Sequence, residues 1–229
     1  MANILDNLFG SSSRLKIIRL FYMHPEAVFT RVEIMKRAKA SSAALGRELA
    51  LLKKIGFIKE AVREEEETIR RRKKVKKQVI FQGKRRKPRV VYGYKTVSEI
   101  RKRKVAGLKL NPLFPFFGAL KGLVLDTSPV SREEILKKIK KLGRVQLIVL
   151  SGVFLKENES RVDILIVGDA IKRGALERML HGIEAEVGKE LNYALFETKE
   201  FMYRLGMYDK FVRDILDYPH EKILNKLDI

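Results

Sequence analysis

Cysteine is absent from the 229 residues. That excludes disulfides and thiolate zinc sites, and it suits a reducing cytoplasm. Histidine is nearly absent as well. His24, His181 and His220 lie far apart, without the spacing of metal ligands, so no metal site is expected. No apolar run approaches the roughly 20 residues that a bilayer crossing needs. No charged-then-apolar leader opens the chain. These absences lead to the expectation of a cytoplasmic protein without membrane contact. Acidic residues are scarce where basic ones concentrate. Residues 69–109 hold 18 Lys and Arg against one acid, Glu99, for a charge of +17 out of a total of +21. Residues 1–60 carry +6, residues 61–68 carry −3 and residues 110–229 carry +1.

A field so concentrated and of one sign points to a polyanionic partner, because it attracts phosphates independently of sequence and in a salt-dependent way. Solubility alone gains nothing from having a single sign. An anionic membrane surface fits less well, since the basic segment has no helical apolar face to insert.

The N-terminal half reads as three capped helices and a strand. Ser11-Ser12-Ser13 caps a helix over 14–23 with Leu15, Ile17, Ile18, Phe21 and Tyr22 inside, and His24-Pro25 ends it. Thr30 and Glu33 form a capping box for a short helix whose candidates for burial are Val32, Ile34, Met35 and Ala38. Ser41-Ser42 caps a third helix in which Leu45, Leu49, Leu52 and Ile55 recur at helical spacing, and Gly56 suits a left-handed stop. A strand follows over 57–62.

The stretch 28–60, "VFTRVEIMKRAKASSAALGRELALLKKIGFIKE", resembles the winged helix-turn-helix domains of transcriptional regulators. The resemblance implies a third helix lying in the major groove, with Ser41, Ser42, Ala43, Ala44 and Arg47 near base edges. Arg47 is the only long donor among them and is the candidate for a guanine or phosphate contact. The wing departs from that pattern by its length. "REEEETIRRRKKVKK", 63–77, switches from acid to base and is compatible with a helix extension held by carboxylate–base pairs or with a tether. "QVIFQGKRRKPRVVYGYKTV", 78–97, reads as a hairpin. It has a strand at Val79-Ile80-Phe81, a turn at Gln82-Gly83 and a strand over 89–95, with Lys84, Arg85, Arg86 and Lys87 at the tip and Arg89 beside them. Tyr92 and Tyr94 share one strand face. Arg101, Lys102, Arg103 and Lys104 add a second basic cluster. A basic two-stranded arm suits a DNA groove or a phosphate backbone.

Asn111-Pro112 and Phe114-Pro115 mark a boundary. Beyond it, Ser131 and Glu134 cap a helix bearing Ile135, Ile139 and Leu142. Strands are expected over 145–150, 161–167 and 191–196. Helices are expected over 170–187, with Leu176, Leu180, Ile183 and Val187 at core spacing, then from Thr198 with Phe201 and Leu205, and over 211–216. This alternation gives a small mixed sheet covered on one side.

"LIVLSGVFLKENESRVDILIVGD", 147–169, resembles the polymerase-β-like nucleotidyltransferase superfamily, in which Gly-Ser follows one strand and Asp-x-Asp stands on the next. That chemistry uses the acids to hold Mg²⁺ for in-line displacement. Here the pair is reversed as Ser151-Gly152, Asp163 matches the second acid, Arg161 replaces the first, and 191–196 carries no acid. A guanidinium in a ligand position repels Mg²⁺. Asp163 then pairs with Arg161 or caps the loop. The resemblance implies a nucleotidyltransferase-like domain without transferase activity and without a required cofactor. Ser151, Gly152, Arg161 and Asp163 would remain as a phosphate or nucleotide pocket for sensing or assembly.

The reading is therefore an α+β protein in three parts. Residues 1–62 are a winged-helix core, 63–109 an extended basic wing, and 110–229 a small mixed α/β nucleotidyltransferase-like domain. The expected function is a non-enzymatic, DNA-binding transcriptional regulator that binds double-stranded DNA, with a homodimer and a nucleotide effector as further partners. The alternatives are an active nucleotidyltransferase using Mg²⁺ and a nucleotide, and an RNA-binding or antitoxin-like partner protein.

Overall fold

Side-chain caps set where the N-terminal helices begin. In the computed structural model, which describes residues 4–78, 90–125, 130–157 and 160–229, a short helix α1 (Ile4–Phe9) leads into α2 (Ser12–Met23). Ser11 accepts the Arg14 N–H at 3.2 Å and opens α2. Thr30 and Glu33 satisfy each other's amides in a complete capping box at the start of α3 (Arg31–Ala38). Ser41 accepts the Ala44 N–H at 3.3 Å to open α4 (Ser42–Lys54). Gly56, left-handed at φ +78°, closes α4, and the Phe57 N–H returns to the Leu52 carbonyl at 2.9 Å.

These helices bury Leu15, Ile18, Phe21, Leu45, Leu52 and Phe57 in one core. Its aromatic rings meet edge to face, with Tyr22 and Phe57 centroids 5.3 Å apart. Two expectations about burial fail. On α3 only Ile34 and Ala38, one turn apart, face the core, while Val32 is 68% exposed and Met35 stays at the surface. Ile55 lies past the last turn of α4 and is also exposed.

Two strands follow, β1 (Ile58–Gln78) and β2 (Val90–Leu110), each of 21 residues. The segment expected to be helix or tether over 63–77 is thus strand throughout. Helix α5 (Phe117–Leu125) comes next. Phe114, Phe117, Leu120 and Val124 pack on the first core, and the Tyr22 hydroxyl donates to the Phe117 carbonyl at 2.9 Å. Burial pushes that phenol up to about 12. Residues 110–125, grouped from sequence with the C-terminal half, therefore pack into the N-terminal core.

The C-terminal half contains α6 (Arg132–Lys140), β3 (Arg144–Leu150), β4 (Ile164–Asp169), α7 (Arg173–Val187), β5 (Tyr193–Phe196), α8 (Thr198–Gly206), α9 (Lys210–Asp217) and β6 (Glu221–Asn225). The sheet order is β5-β4-β3-β6, with β4 and β5 parallel and the other pairs antiparallel. The sheet is mixed, as expected, but it is covered on both faces. Ile148, Leu150, Ile164 and Ile166 point to one core with Ile135, Ile139 and Leu180. Leu147, Val149, Leu165 and Val167 point to another with Phe201, Val212 and Ile215. The period of two explains the split. A bulge between Val145 and Leu147 shifts the register and returns Val145 to the first face.

The two halves dock through α2 and α7. The Arg19 guanidinium, 1% exposed, donates to the Glu186 carbonyl at 3.1 Å near the end of α7 and to the Val124 carbonyl at 3.4 Å. Gly188 follows at φ +85°, and a Cβ there would meet the Arg19 carbonyl carbon and the Leu20 nitrogen, each at 2.7 Å. Lys16 pairs with Glu186 at 2.8 Å and Arg37 with Glu190 at 3.0 Å across the same junction. Among the described residues no helix is long and apolar enough to cross a membrane.

Candidate nucleic-acid interface

The arm made by β1 and β2 runs in unbroken antiparallel register, from Ile58 opposite Leu110 to Gln78 opposite Val90. At about 3.3 Å per residue, 21 pairs extend roughly 70 Å. Ordinary strands have about 3–10 residues.

Its base is fixed in three ways. Ile58 and Leu110 are buried in the first core. Phe29 and Leu108 exchange backbone hydrogen bonds of 2.9 and 2.8 Å. Gly107 makes that approach feasible, because a Cβ would meet the Phe29 carbonyl oxygen at 2.7 Å. Arg63 supplies the third tie. Its guanidinium donates to Glu33 at 2.6 Å, to Glu65 at 2.9 Å and to the Val28 carbonyl. Burial pushes the Glu33 carboxyl up, but the hydrogen bonds from Arg63 and Thr30 outweigh it and hold the group at about 2.

Beyond Arg63 the described residues show no contact between the ribbon and the helices, and its charge divides along its length. The register sets Glu64 opposite Lys104, Glu65 opposite Arg103, Glu66 opposite Lys102 and Glu67 opposite Arg101. Four acids thus face the four bases that the sequence marks as a second nucleic-acid contact. Opposite charges across a ribbon stabilise the pairing by about 0.2–1 kcal/mol each. Arg101, Lys102, Arg103 and Lys104 thus lie in the part of the ribbon that also carries its four acids.

The cationic part lies further out. Residues 69–100 hold 13 Lys and Arg against Glu99 alone, a charge of +12. Lys73 pairs with Glu99 at 2.6 Å and lowers its pKa. Arg70, Arg71, Arg72 and Lys95 are set on both strands without an ion pair among the described residues, and Arg70, Arg72 and Tyr94 share one exposed face. Lys84, Arg85, Arg86, Lys87 and Arg89, with the strand expected at Val79-Ile80-Phe81 and the turn expected at Gln82-Gly83, lie outside the described residues.

The start of α4 is a separate candidate surface. Ser42, Ala43 and Arg47 are exposed, whereas the Ser41 hydroxyl is occupied by its cap. Arg47 makes no ion pair among the described residues. Arg31 reaches over α4, its guanidinium 3.6 Å from the place of a Cβ on Gly46, and adds a cation that sequence spacing did not single out.

Ser151, Gly152 and Asp163 come together, but they use one another. Ser151 is 1% exposed and donates its hydroxyl to the Val162 carbonyl at 2.5 Å. Asp163 is 4% exposed; its Oδ1 accepts the Val153 N–H at 2.8 Å and its Oδ2 accepts the Asn192 N–H at 2.9 Å. A Cβ on Gly152, at φ +55°, would collide with the Asp163 carboxylate. Strand β4 starts at Ile164, so Arg161 and Asp163 precede it rather than stand on it. Arg161 pairs with Asp214 of α9, not with Asp163. Of the two roles expected for Asp163, clamping the loop is the one observed. Among the described residues, no group of three His, Asp or Glu side chains is placed to hold a metal ion.

No family model, curated protein or solved structure matches the chain.

Proposed function

We propose that the protein binds duplex DNA as a transcriptional regulator, with the outer part of the β1–β2 arm as its main contact. The observation that carries this reading is the register of the arm. It sets Glu64 to Glu67 opposite Lys104 to Arg101, and of the +12 that the sequence carries over 69–100 it leaves Arg70, Arg71, Arg72 and Lys95 exposed and without an ion pair among the described residues. A ribbon of two strands has the width of the B-form major groove, about 12 Å, whereas the A-form major groove is too deep and narrow for side chains to read. The three capped helices, the Phe29–Leu108 bridge and the hairpin support a winged-helix reading of the first core, with Arg47 as its candidate base contact. The mixed sheet and the Ser151–Asp163 loop support a nucleotidyltransferase-like C-terminal domain serving assembly rather than transfer. Its one matching acid already has an amide on each oxygen.

The deciding experiment is a salt titration of binding by fluorescence anisotropy, with a DNA duplex and a structured RNA of equal length. Tighter binding to DNA at every salt concentration, with log affinity falling linearly in log salt, is the expected result. Equal or tighter binding to the RNA would favour the RNA-binding alternative, and no binding to either would remove the reading.

A further inference from the structure

We propose that the cleft between α3 and α7 binds a small anion carrying at least two phosphate groups. The cleft has a volume of about 690 Å³, within the range of small-ligand sites of about 300–1,000 Å³. Four of its lining cations have no ion-pair partner among the described residues: Lys36 and Lys39 from α3 and its cap, and Arg178 and Lys189 from α7 and the turn after it. The acids that line it are already engaged. Glu33 is held by Arg63 at 2.6 Å, Glu190 by Arg37 at 3.0 Å, and Glu184 by His181 at 2.6 Å and by the Leu191 N–H at 3.0 Å. Four cations that line one cleft therefore lack an ion-pair partner among the described residues, while each lining acid already has a hydrogen-bond donor.

The local backbone sets Lys39 over the cleft. Lys39 occupies a left-handed conformation at φ +48°, and its ammonium leans over α7 to 4.0 Å from the place of a Cβ on Gly182. A glycine within a helix costs roughly 0.5–1 kcal/mol relative to alanine, and here it leaves the surface bare beneath the lysine. Leu20, Ala38 and Ala185 form a buried apolar floor, which strengthens the field above it. Two cations come from each half, so an anion held in the cleft bridges the two halves. The inference is independent of the arm.

The test is calorimetric titration of the full chain with inorganic pyrophosphate at constant ionic strength, with sulfate as a control for simple screening. The expected result is one binding site for pyrophosphate, affinity reduced at least tenfold in the Lys36→Gln/Arg178→Gln protein, and affinity within twofold of wild type in Arg70→Gln/Arg72→Gln. Both pairs are exposed, and far-ultraviolet circular dichroism confirms that the variants fold. Lys39→Gln with Lys189→Gln is the second probe of the same cleft. Absence of pyrophosphate binding by the wild type, retention of affinity in both cleft variants, or weakened binding in the arm variant would each overturn the proposal.

Discussion

Asp163 illustrates how one residue type serves two different chemistries. In the sequence its place resembles that of a metal ligand in nucleotidyltransferases. In the fold its two oxygens hold the amides of Val153 and Asn192, joining the loop after β3 to the segment before β5. Asp163→Ala removes the acceptor of both amides, at about 0.5–1.5 kcal/mol for each hydrogen bond lost, and leaves a cavity where the buried carboxylate stood. Urea denaturation should show that destabilisation, and incorporation of labelled nucleotide with Mg²⁺ should be absent in wild type and variant alike. Incorporation by the wild type that vanishes in Asp163→Asn would restore the enzyme reading. Sequence made Ser151, Gly152 and Asp163 legible as a group, because glycine and a buried acid near a strand end are rare enough to notice. It could not give their purpose. An aspartate that binds metal and one that binds backbone amides differ only in what surrounds them, and Arg161 turns away to Asp214 from a helix about 50 residues later.

At the scale of the element, the arm is where local reasoning misleads. Glu64 to Glu67 followed by Arg70 to Lys74 looks like helix charge pairing because each residue's real partner lies about 20–40 positions away on β2. The alternation that betrays an ordinary strand is also missing, since neither face is buried over the described residues 64–73 and 94–104. The register yields two opposed expectations. Arg70→Gln with Arg72→Gln should lower the slope of log affinity against log salt by about 0.9 for each phosphate that is no longer neutralised. Replacing Glu64 to Glu67 by glutamine should free Arg101 to Lys104, steepen that slope and tighten DNA binding, while weakening the ribbon itself. An unchanged slope in both proteins would place the nucleic acid elsewhere. The attachment of the arm titrates as well. Glu33 has its usual pKa near 4.5 when unfolded and about 2 when folded, so its contribution is present above the higher value and is lost as pH falls towards the lower one. Hydrogen exchange at the base of the arm should accelerate over that window, and Glu33→Gln should exchange quickly at every pH.

Among the described residues the molecule has three apolar cores, and the sequence made two halves visible through charge and the Pro-marked boundary. It hid the docking between them. The uninterrupted apolar runs of β3, Leu147 to Leu150, and of β4, Ile164 to Val167, are the signs that both faces of the sheet would be covered. Nothing local marks Arg19 as buried or Gly188 as a point of close approach. Burial pulls the Arg19 pKa down, and Glu186 and Asp6 pull it back. The junction thus rests on a guanidinium with modest hydrogen bonds and on a glycine with no room for a methyl group. Gly188→Ala costs about 1–2 kcal/mol for its left-handed backbone alone. The added methyl also meets main-chain atoms of α2, which cannot move without shifting the helix. The halves should then separate before either unfolds. Calorimetry of Gly188→Ala should resolve two transitions where the wild type gives one, while the salt dependence of DNA binding stays the same because the arm is anchored in the first core. Arg19→Met should behave differently. It replaces a buried cation with an apolar chain of similar length, so the single transition should persist at a similar or higher temperature. Two transitions in Arg19→Met with one in Gly188→Ala would show that the guanidinium, and not the close approach at Gly188, holds the halves together.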